Sequence, residues 1–140
     1  MSNPTPNDQS PAAFPYATHL NVLFDQLQTF SLDPVVASVR DAWWNQTIAR
    51  VNESVLRLGV MQGEYHWHEH TNDDELFFVL DGRFLIDLEP RADGITPGRV
   101  ITLGPRDGFV VPKGVRHRTR APERAVILMI ETASIVPTGS

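Results

Sequence analysis

Residues 63–82 read GEYHWHEHTNDDELFFVLDG. This stretch carries three of the chain's five histidines at alternate positions, His66, His68 and His70, and Glu75 follows five residues after the last of them. Side chains alternate between faces along a strand, so residues at i, i+2 and i+4 share one face. Read as a strand, the segment points His66, His68 and His70 one way and Trp67 and Glu69 the other. The turn residues Thr71, Asn72, Asp73 and Asp74 follow. Glu75 then opens an apolar run, Leu76–Leu80, that stops at Asp81-Gly82. A strand of imidazoles beside a strand bearing a carboxylate is the donor set of a divalent-metal site. Far along the chain, Pro112-Lys113-Gly114-Val115-Arg116-His117 offers one more imidazole.

Outward from this stretch, short strands dominate. Thr47–Val51 and Ser54–Met61 read as strands on either side of Asn52-Glu53. Tyr65–His70 is the histidine strand. Glu75–Leu80 and Arg83–Glu89 flank Asp81-Gly82, a pair that favours a type I′ hairpin. Arg99–Leu103, Gly108–Val111, His117–Arg120 and Arg124–Glu131 follow, divided by Gly-Pro, Pro-Lys-Gly and Ala-Pro-Glu breaks. Upstream, Leu20, Leu23, Phe24, Leu27 and Phe30 fall at helical spacing, and Ser31–Pro34 reads as the stop of a short amphipathic helix. His19, just before it, reads as a surface or capping histidine. Residues 1–17, with prolines at 4, 6, 11 and 15, read as a disordered tail. The domain is expected over 18–137, its motif core over 63–120, with a short tail at 138–140. Many short strands with turn residues between them predict a sandwich or barrel, and so an all-β fold.

Composition bounds the function. A chain of 140 residues, 41% hydrophobic, holds one domain and one sizeable core. Its net charge of −5 argues against a nucleic-acid partner. It has no apolar run long enough for a membrane span, and its first residues lack the basic and apolar regions of a signal peptide. There is no cysteine, which excludes disulfides and thiolate metal sites and fits a cytoplasmic protein. Alternation along Glu75–Leu80 puts Glu75, Phe77 and Val79 inside and leaves Leu76, Phe78 and Leu80 outside. That outer face is also apolar, so the helix or a second subunit must cover it, and a homodimer is expected.

The chain resembles a small single-domain cupin. The family's first motif, G-x5-H-x-H-x3/4-E-x6-G, is met from the histidines onward by His68, His70, Glu75 and Gly82. The core of its second motif, G-x5-P-x-G-x2-H-x3-N, is met by Pro112, Gly114 and His117. The phrases FFVLDG and FVVPKGVRH are similar to small cupins related to mannose-6-phosphate isomerase. The chain departs from the pattern at Gln62, where the first glycine is expected, at Arg106 for the second leading glycine, and at Ala121 for the closing asparagine. These positions bear on turns, not on ligands. The resemblance covers roughly residues 42–137. It implies a double-stranded β-helix, or jelly roll, with a metal held by His68, His70, Glu75 and His117. Choosing His66 and His68 instead leaves a gap to Glu75 longer than the family motif allows. His66 is then expected in the pocket but off the metal, as a proton shuttle, substrate contact or supporting partner.

Paired strand histidines or a Pro-Gly-His turn, taken singly, are more often surface or turn features. Four ligand-type residues in two spaced motifs weigh the balance toward metal. Asp73 and Asp74 read as turn residues. Phe77, Val79, Phe84, Ile86 and Met129 read as core. Arg57 and Arg83 read as exposed rather than as anchors for an anionic substrate. Three neutral imidazoles and a carboxylate give a net +1 site with a divalent ion. Zinc, nickel, cobalt and copper suit the donors. A six-coordinate iron(II) or manganese keeps two open positions, whereas four protein ligands fill a tetrahedral zinc site. Three functions compete: a dioxygenase, a metal-dependent isomerase or lyase on a small organic substrate, and a barrel that binds or senses a small molecule without turnover.

Overall fold

A computed structural model describes residues 15–140, so the proline-rich tail falls almost wholly outside the described residues. In chain order the elements are β1 (Ala17–His19), α1 (Asp33–Ser38), β2 (Trp43–Val51), β3 (Ser54–Glu64), β4 (Glu75–Asp81), β5 (Phe84–Leu88), β6 (Arg99–Leu103), β7 (Gly108–Val111) and β8 (His117–Thr132). The fold is the expected jelly roll, and β8 is its spine. Antiparallel pairing with β3 runs from Ser54↔Thr132 to Glu64↔Arg120 along one edge of β8. The other edge is divided. Its first part, His117–Arg120, pairs with β5, and its later part, Val126–Ile130, pairs with β4. The remaining strands pair outward from these: β7 on β4, β6 on β5, β2 on β3, and β1 parallel to β2.

This division corrects two sequence expectations. Asp81-Gly82 does not close a hairpin, because β4 and β5 pair with different parts of β8 rather than with each other. Gly82 instead carries the chain across the bend of β8 at φ +82°, where an added Cβ would lie 2.6 Å from the Arg124 carbonyl oxygen. Close backbone approach and positive φ both demand glycine there. The Ala-Pro-Glu break does not end a strand either. β8 runs through it as one element, and the register against β3 slips between Met61↔Ala125 and Gly63↔Ala121. Pro122, Glu123 and Arg124 bulge out of the ladder, where a proline's missing N–H costs nothing.

The helix is also displaced. Leu20–Phe30 is irregular, with Leu23 and Phe24 donating backbone N–H groups to the Thr47 and Ile48 carbonyls of β2 at 3.1 and 3.0 Å. Leu27 sits at φ +62°, which no helix allows. Pro34, read as a stop, lies in the first turn of α1, where its missing N–H is an orphan anyway.

Two apolar cores result. One fills the barrel with Trp43, Met61, Tyr65, Phe77, Val79, Phe84, Ile86, Val111, Ile127 and Met129 among others, as the alternation in β4 and β5 predicts. The second lies outside the barrel. There Phe24, Leu32, Val35 and Val36 pack against Trp44, Ile48, Leu58, Val60 and Val126. The N-terminal segment therefore covers β2, β3 and the middle of β8 at Val126 and Leu128. It leaves Val110, Ile130 and Leu80 at 50%, 45% and 38% exposure on the neighbouring outer face.

Candidate metal centre

Three segments bring the site together. His68 and His70 come from the stretch after β3, Glu75 opens β4, and His117 opens β8. One ligand atom from each of His68, His70, Glu75 and His117 lies within 4.8 Å of every other, and all four residues are buried. These are the residues the two motifs select.

The segment carrying the histidines is not a regular strand. Beyond Glu64↔Arg120 it keeps a Tyr65 N–H bond to the Thr119 carbonyl (2.8 Å) and then a single bridge, His68↔His117. Between Tyr65 and His68 the chain advances three positions while β8 advances two, so one residue is extra. A one-residue bulge shifts the alternation. Tyr65 therefore joins Thr119 and His117 on the inward side, His68 and His70 also face inward, and His66 falls out of phase. Its ring lies half-buried at the rim instead. Nε2 is 2.8 Å from the Thr138 carbonyl, and the Tyr16 hydroxyl is 3.2 Å from Nδ1 while accepting the His66 backbone N–H at 3.1 Å.

The ring orientations suit ligation. Nδ1 of His68 lies 3.0 Å from the His66 carbonyl, and Nδ1 of His117 lies 2.9 Å from the Val115 carbonyl. A carbonyl only accepts, so Nδ1 of each carries the proton and Nε2 keeps its lone pair. Oε1 of Glu75 lies 3.4 Å from Nε2 of His70 and 3.7 Å from Nε2 of His117. These separations exceed a normal hydrogen bond. Glu75 Oε1, both ring nitrogens of His70 and Nε2 of His117 are buried without a hydrogen-bond partner. Orphaned buried polar atoms are costly, and Glu75 Oε1, one ring nitrogen of His70 and Nε2 of His117 around one point fit a cation there. The donors are nitrogen and oxygen only, which suits a first-row divalent ion.

Burial lowers the His68 pKa to about 3, with the adjacent His117 adding to the effect, so His68 is neutral, as a ligand must be. Burial pushes the Glu75 carboxyl up, but His117, His70 and a contact with Glu131 together hold it below the carboxylate range. Glu131 goes the other way. Burial and the neighbouring Glu75 charge raise it well above the ordinary value, against the pull of Arg57.

Two residues here escaped the sequence reading. Arg57 is buried at 2% exposure rather than solvated, and Glu131 at 4%. The strand period carried the signal: Arg57 shares the inward phase of Gly59 and Met61, and Glu131 that of Ile127 and Met129. Arg83, by contrast, is exposed as expected. Asp73 and Asp74 are turn residues, accepting from the Thr132 hydroxyl and the Lys113 N–H. Arg106 stands at φ +72°, the conformation that the motif's glycine normally supplies, so the turn survives the substitution. Tyr65, His68, Glu75, Arg57, Glu131, Thr119, Asn45 and apolar neighbours line a small pocket of about 30 Å³. The C-terminal residues close over it. Tyr65 donates to the Pro137 carbonyl (3.2 Å), Ser140 N–H to the Glu69 carbonyl (3.0 Å), and an added Cβ on Gly139 would stand 2.9 Å from Cβ of His68. Residues 138–140, expected as a short tail, thus pack against the histidine segment.

A fold of this topology with ligands from its two motifs defines a cupin, and comparison with known proteins agrees. The family model described as Cupin domain matches residues 55–131, and the chain belongs to that family. The chain is 38% identical over 97 residues to the protein YdbB of Bacillus subtilis (strain 168), covering 69% of this chain and 80% of that one. Among solved structures, a cupin-2 domain containing protein from Shewanella frigidimarina NCIMB 400 is 30% identical, with a TM-score of 0.65, covering 74% of this chain and 94% of its own. The hydroquinone 1,2-dioxygenase PnpCD in complex with Fe3+ shares the fold at 19% identity and a TM-score of 0.66, covering 78% of this chain and 33% of its own. Among the described residues no helix is long and apolar enough to cross a membrane.

Proposed function

We propose that this cupin is a divalent-metal enzyme acting on a small organic substrate, with His68, His70, Glu75 and His117 as ligands. The observation that carries the reading is the buried convergence of four donor groups, three of which, His70, Glu75 and His117, have buried atoms without a hydrogen-bond partner. A divalent ion held there supplies Lewis acidity and open coordination positions, and iron adds dioxygen chemistry. The protein's part is to keep His68 and His117 in the ligating tautomer, to hold Glu75 ionised and to exclude bulk water. Iron and a dioxygenase reaction are favoured by the barrel shared with PnpCD, whose structure holds Fe3+. Manganese or zinc would favour an isomerase or lyase instead. A proton-moving role for His66 acts from outside the ligand set and requires its contact with Thr138 to open.

A second reading, binding or sensing without turnover, is favoured by one feature. The cavity beside the ligands holds little more than water, with the C-terminal residues across it. The deciding experiment is elemental analysis of freshly purified protein beside a His117→Ala variant, followed by oxygen-uptake or isomerisation screens. Near-stoichiometric iron that is lost in the variant supports the dioxygenase reading. Manganese, nickel or zinc supports the non-redox one. No metal in either protein, even after reconstitution, defeats the proposal.

A further inference from the structure

Six buried side-chain atoms among the described residues have no hydrogen-bond partner, and four of them belong to His70, Glu75 and His117 of the metal site. The other two are Nε1 of Trp43 and Oε2 of Glu131, on residues 5% and 4% exposed. Both residues line the small pocket of about 30 Å³ beside His68 and Glu75. An indole N–H only donates, and an ionised carboxylate oxygen only accepts. Glu131 is held in place by Arg57, whose Nε lies 3.1 Å from Oε1. The guanidinium in turn is anchored on Thr47 Oγ1, Asn45 Oδ1 and the His19 carbonyl, so its donors are spent within the protein. Unpaired buried atoms are costly, and a pocket that offers one donor and one acceptor fits a group that answers both.

A second pocket adjoins the first. It measures about 160 Å³ and shares Arg57, Glu131 and Pro137 with it. Its other walls are chiefly Leu20, Val22, Val55, Ala133 and Ile135. Its remaining polar side chains are already paired: Thr47 with Arg57, Thr132 with Asp73, and Arg50, at the rim, with the Asn52 carbonyl. An apolar cavity of about 150 Å³ takes a benzene ring, whereas about 30 Å³ takes little more than one oxygen. We propose that the two pockets form one ligand site for a small neutral alcohol or phenol. The apolar body lies in the outer pocket, and the hydroxyl enters the inner one, donating to Glu131 Oε2 and accepting from Trp43 Nε1–H. A hydroxyl does both, whereas an ammonium cannot accept and a carboxylate cannot donate. A carboxylate would also stand against Glu131 and Glu75 with Arg57 already taken. The bound oxygen sits beside His68 and Glu75. That the hydroxyl compound is the substrate rests on the metal-enzyme reading above; the ligand site itself does not.

The test is an amide and indole N–H chemical-shift titration of metal-free protein with phenol, toluene and benzoate, repeated with zinc(II) present. Trp43→Phe identifies the Trp43 indole signal by its loss, and it removes the donor while keeping a ring. Ala133→Trp fills the outer pocket from an exposed position. Phenol is expected to move the Trp43 indole signal and to bind about tenfold or more tighter than toluene or benzoate. Trp43→Phe should weaken phenol about fivefold and leave toluene within about twofold, and Ala133→Trp should abolish the response to both. Amide spectra show which variants are folded, and Ala133→Trp decides if Trp43→Phe is not. Equal affinity for phenol and toluene, tighter binding of benzoate, or an undiminished phenol response in Ala133→Trp overturns the inference. So does the absence of any shift up to the solubility limit, which leaves the inner pocket to water alone. In each of these cases zinc(II) uptake leaves the metal site standing. Phenol binding without zinc(II) uptake keeps the ligand site and defeats the metal-enzyme reading instead.

Discussion

Replacing Glu75 by Gln keeps the side chain's length and volume and removes its charge. In the metal-free protein the change should be mild. The amide needs less hydration than a carboxylate buried at 6% exposure. The metal-loaded protein should respond very differently. An ion present at about 100 times its dissociation constant stabilises the folded state by about 2.7 kcal/mol. For a chain of 140 residues, at roughly 4 °C per kcal/mol, that is a rise of about 10 °C in Tm. In the Glu75→Gln variant the ligands are all neutral, and a loss of at least ~100-fold in affinity is expected, the upper end of what is lost by removing mere supporting contacts. At the same metal concentration the ion then stands near its dissociation constant, which leaves about 0.4 kcal/mol, or roughly 1–2 °C. The assay is thermal unfolding by circular dichroism with and without manganese(II) or cobalt(II), on both proteins. An equal metal-dependent rise in the two would refute the assignment of Glu75. A collapse of the metal-free Glu75→Gln variant would refute the claim that its charge serves the metal rather than the fold.

Three further outcomes are expected. His68→Ala and His117→Ala should lose most bound metal while His66→Ala keeps it, since only His66 lies outside the cluster; equal loss in elemental analysis of all three would count against the assignment. Asp87 accepts from Arg120 at 2.8 and 2.9 Å and from Arg118 at 3.1 Å, and these bonds hold its pKa below the ordinary range. The other charge facing this group is Glu64, 3.5 Å from Arg118. The folded-state pKa is thus below the unfolded one, so the stabilisation is complete above about pH 4 and is lost as pH falls through the folded value. Asp87→Asn should cost about 1 kcal/mol at pH 7, and that cost should shrink in urea unfolding as pH falls below about 4; a cost that does not change with pH would show that the charge is not the cause. We propose that two copies meet through the outer face of β4, β7 and β8, where Val110, Leu76 and Ile130 form one row across the strands. Ile130→Asp should convert a dimer to a monomer by light scattering, and a monomeric wild type at micromolar concentration would dispose of the idea.

Most of the barrel was legible because its strands are short and alternate cleanly. Glu75, Phe77 and Val79 face inward while Leu76 and Phe78 are only half-buried, as period two requires. What was missed needed partners far away in the chain. Asp81-Gly82 has hairpin chemistry, yet the residues that decide its geometry are Arg124 and Ala125. Pro34 can stop one helix or start another, and only the bonds from Leu23 and Phe24 to β2 show which occurred. Arg57 read as a solvated charge because its partners lie on β2 and β8, beyond any local window.

The histidine segment shows how one residue separates the choice of candidate ligands from their geometry. An unbroken strand would have placed all three alternate histidines together, and apart from its spacing to Glu75 nothing local distinguishes His66 from the other two. The ladder with β8 does. Inward positions on β8 fall at His117, Thr119 and Ala121, so the opposing chain must present Tyr65 to Thr119 and His68 to His117. Three steps against two leave one residue over, and the extra residue turns His66 to the rim. The same slip brings Tyr65 inward, where its ring packs against His68 at 5.1 Å and its hydroxyl holds Pro137. His66, at the rim, meets Thr138 of the same C-terminal segment. The bulge therefore does two things at once: it limits the strand's contribution to two imidazoles, leaving the remaining positions to Glu75 and His117, and it gives the C-terminal residues two of their anchors over the site.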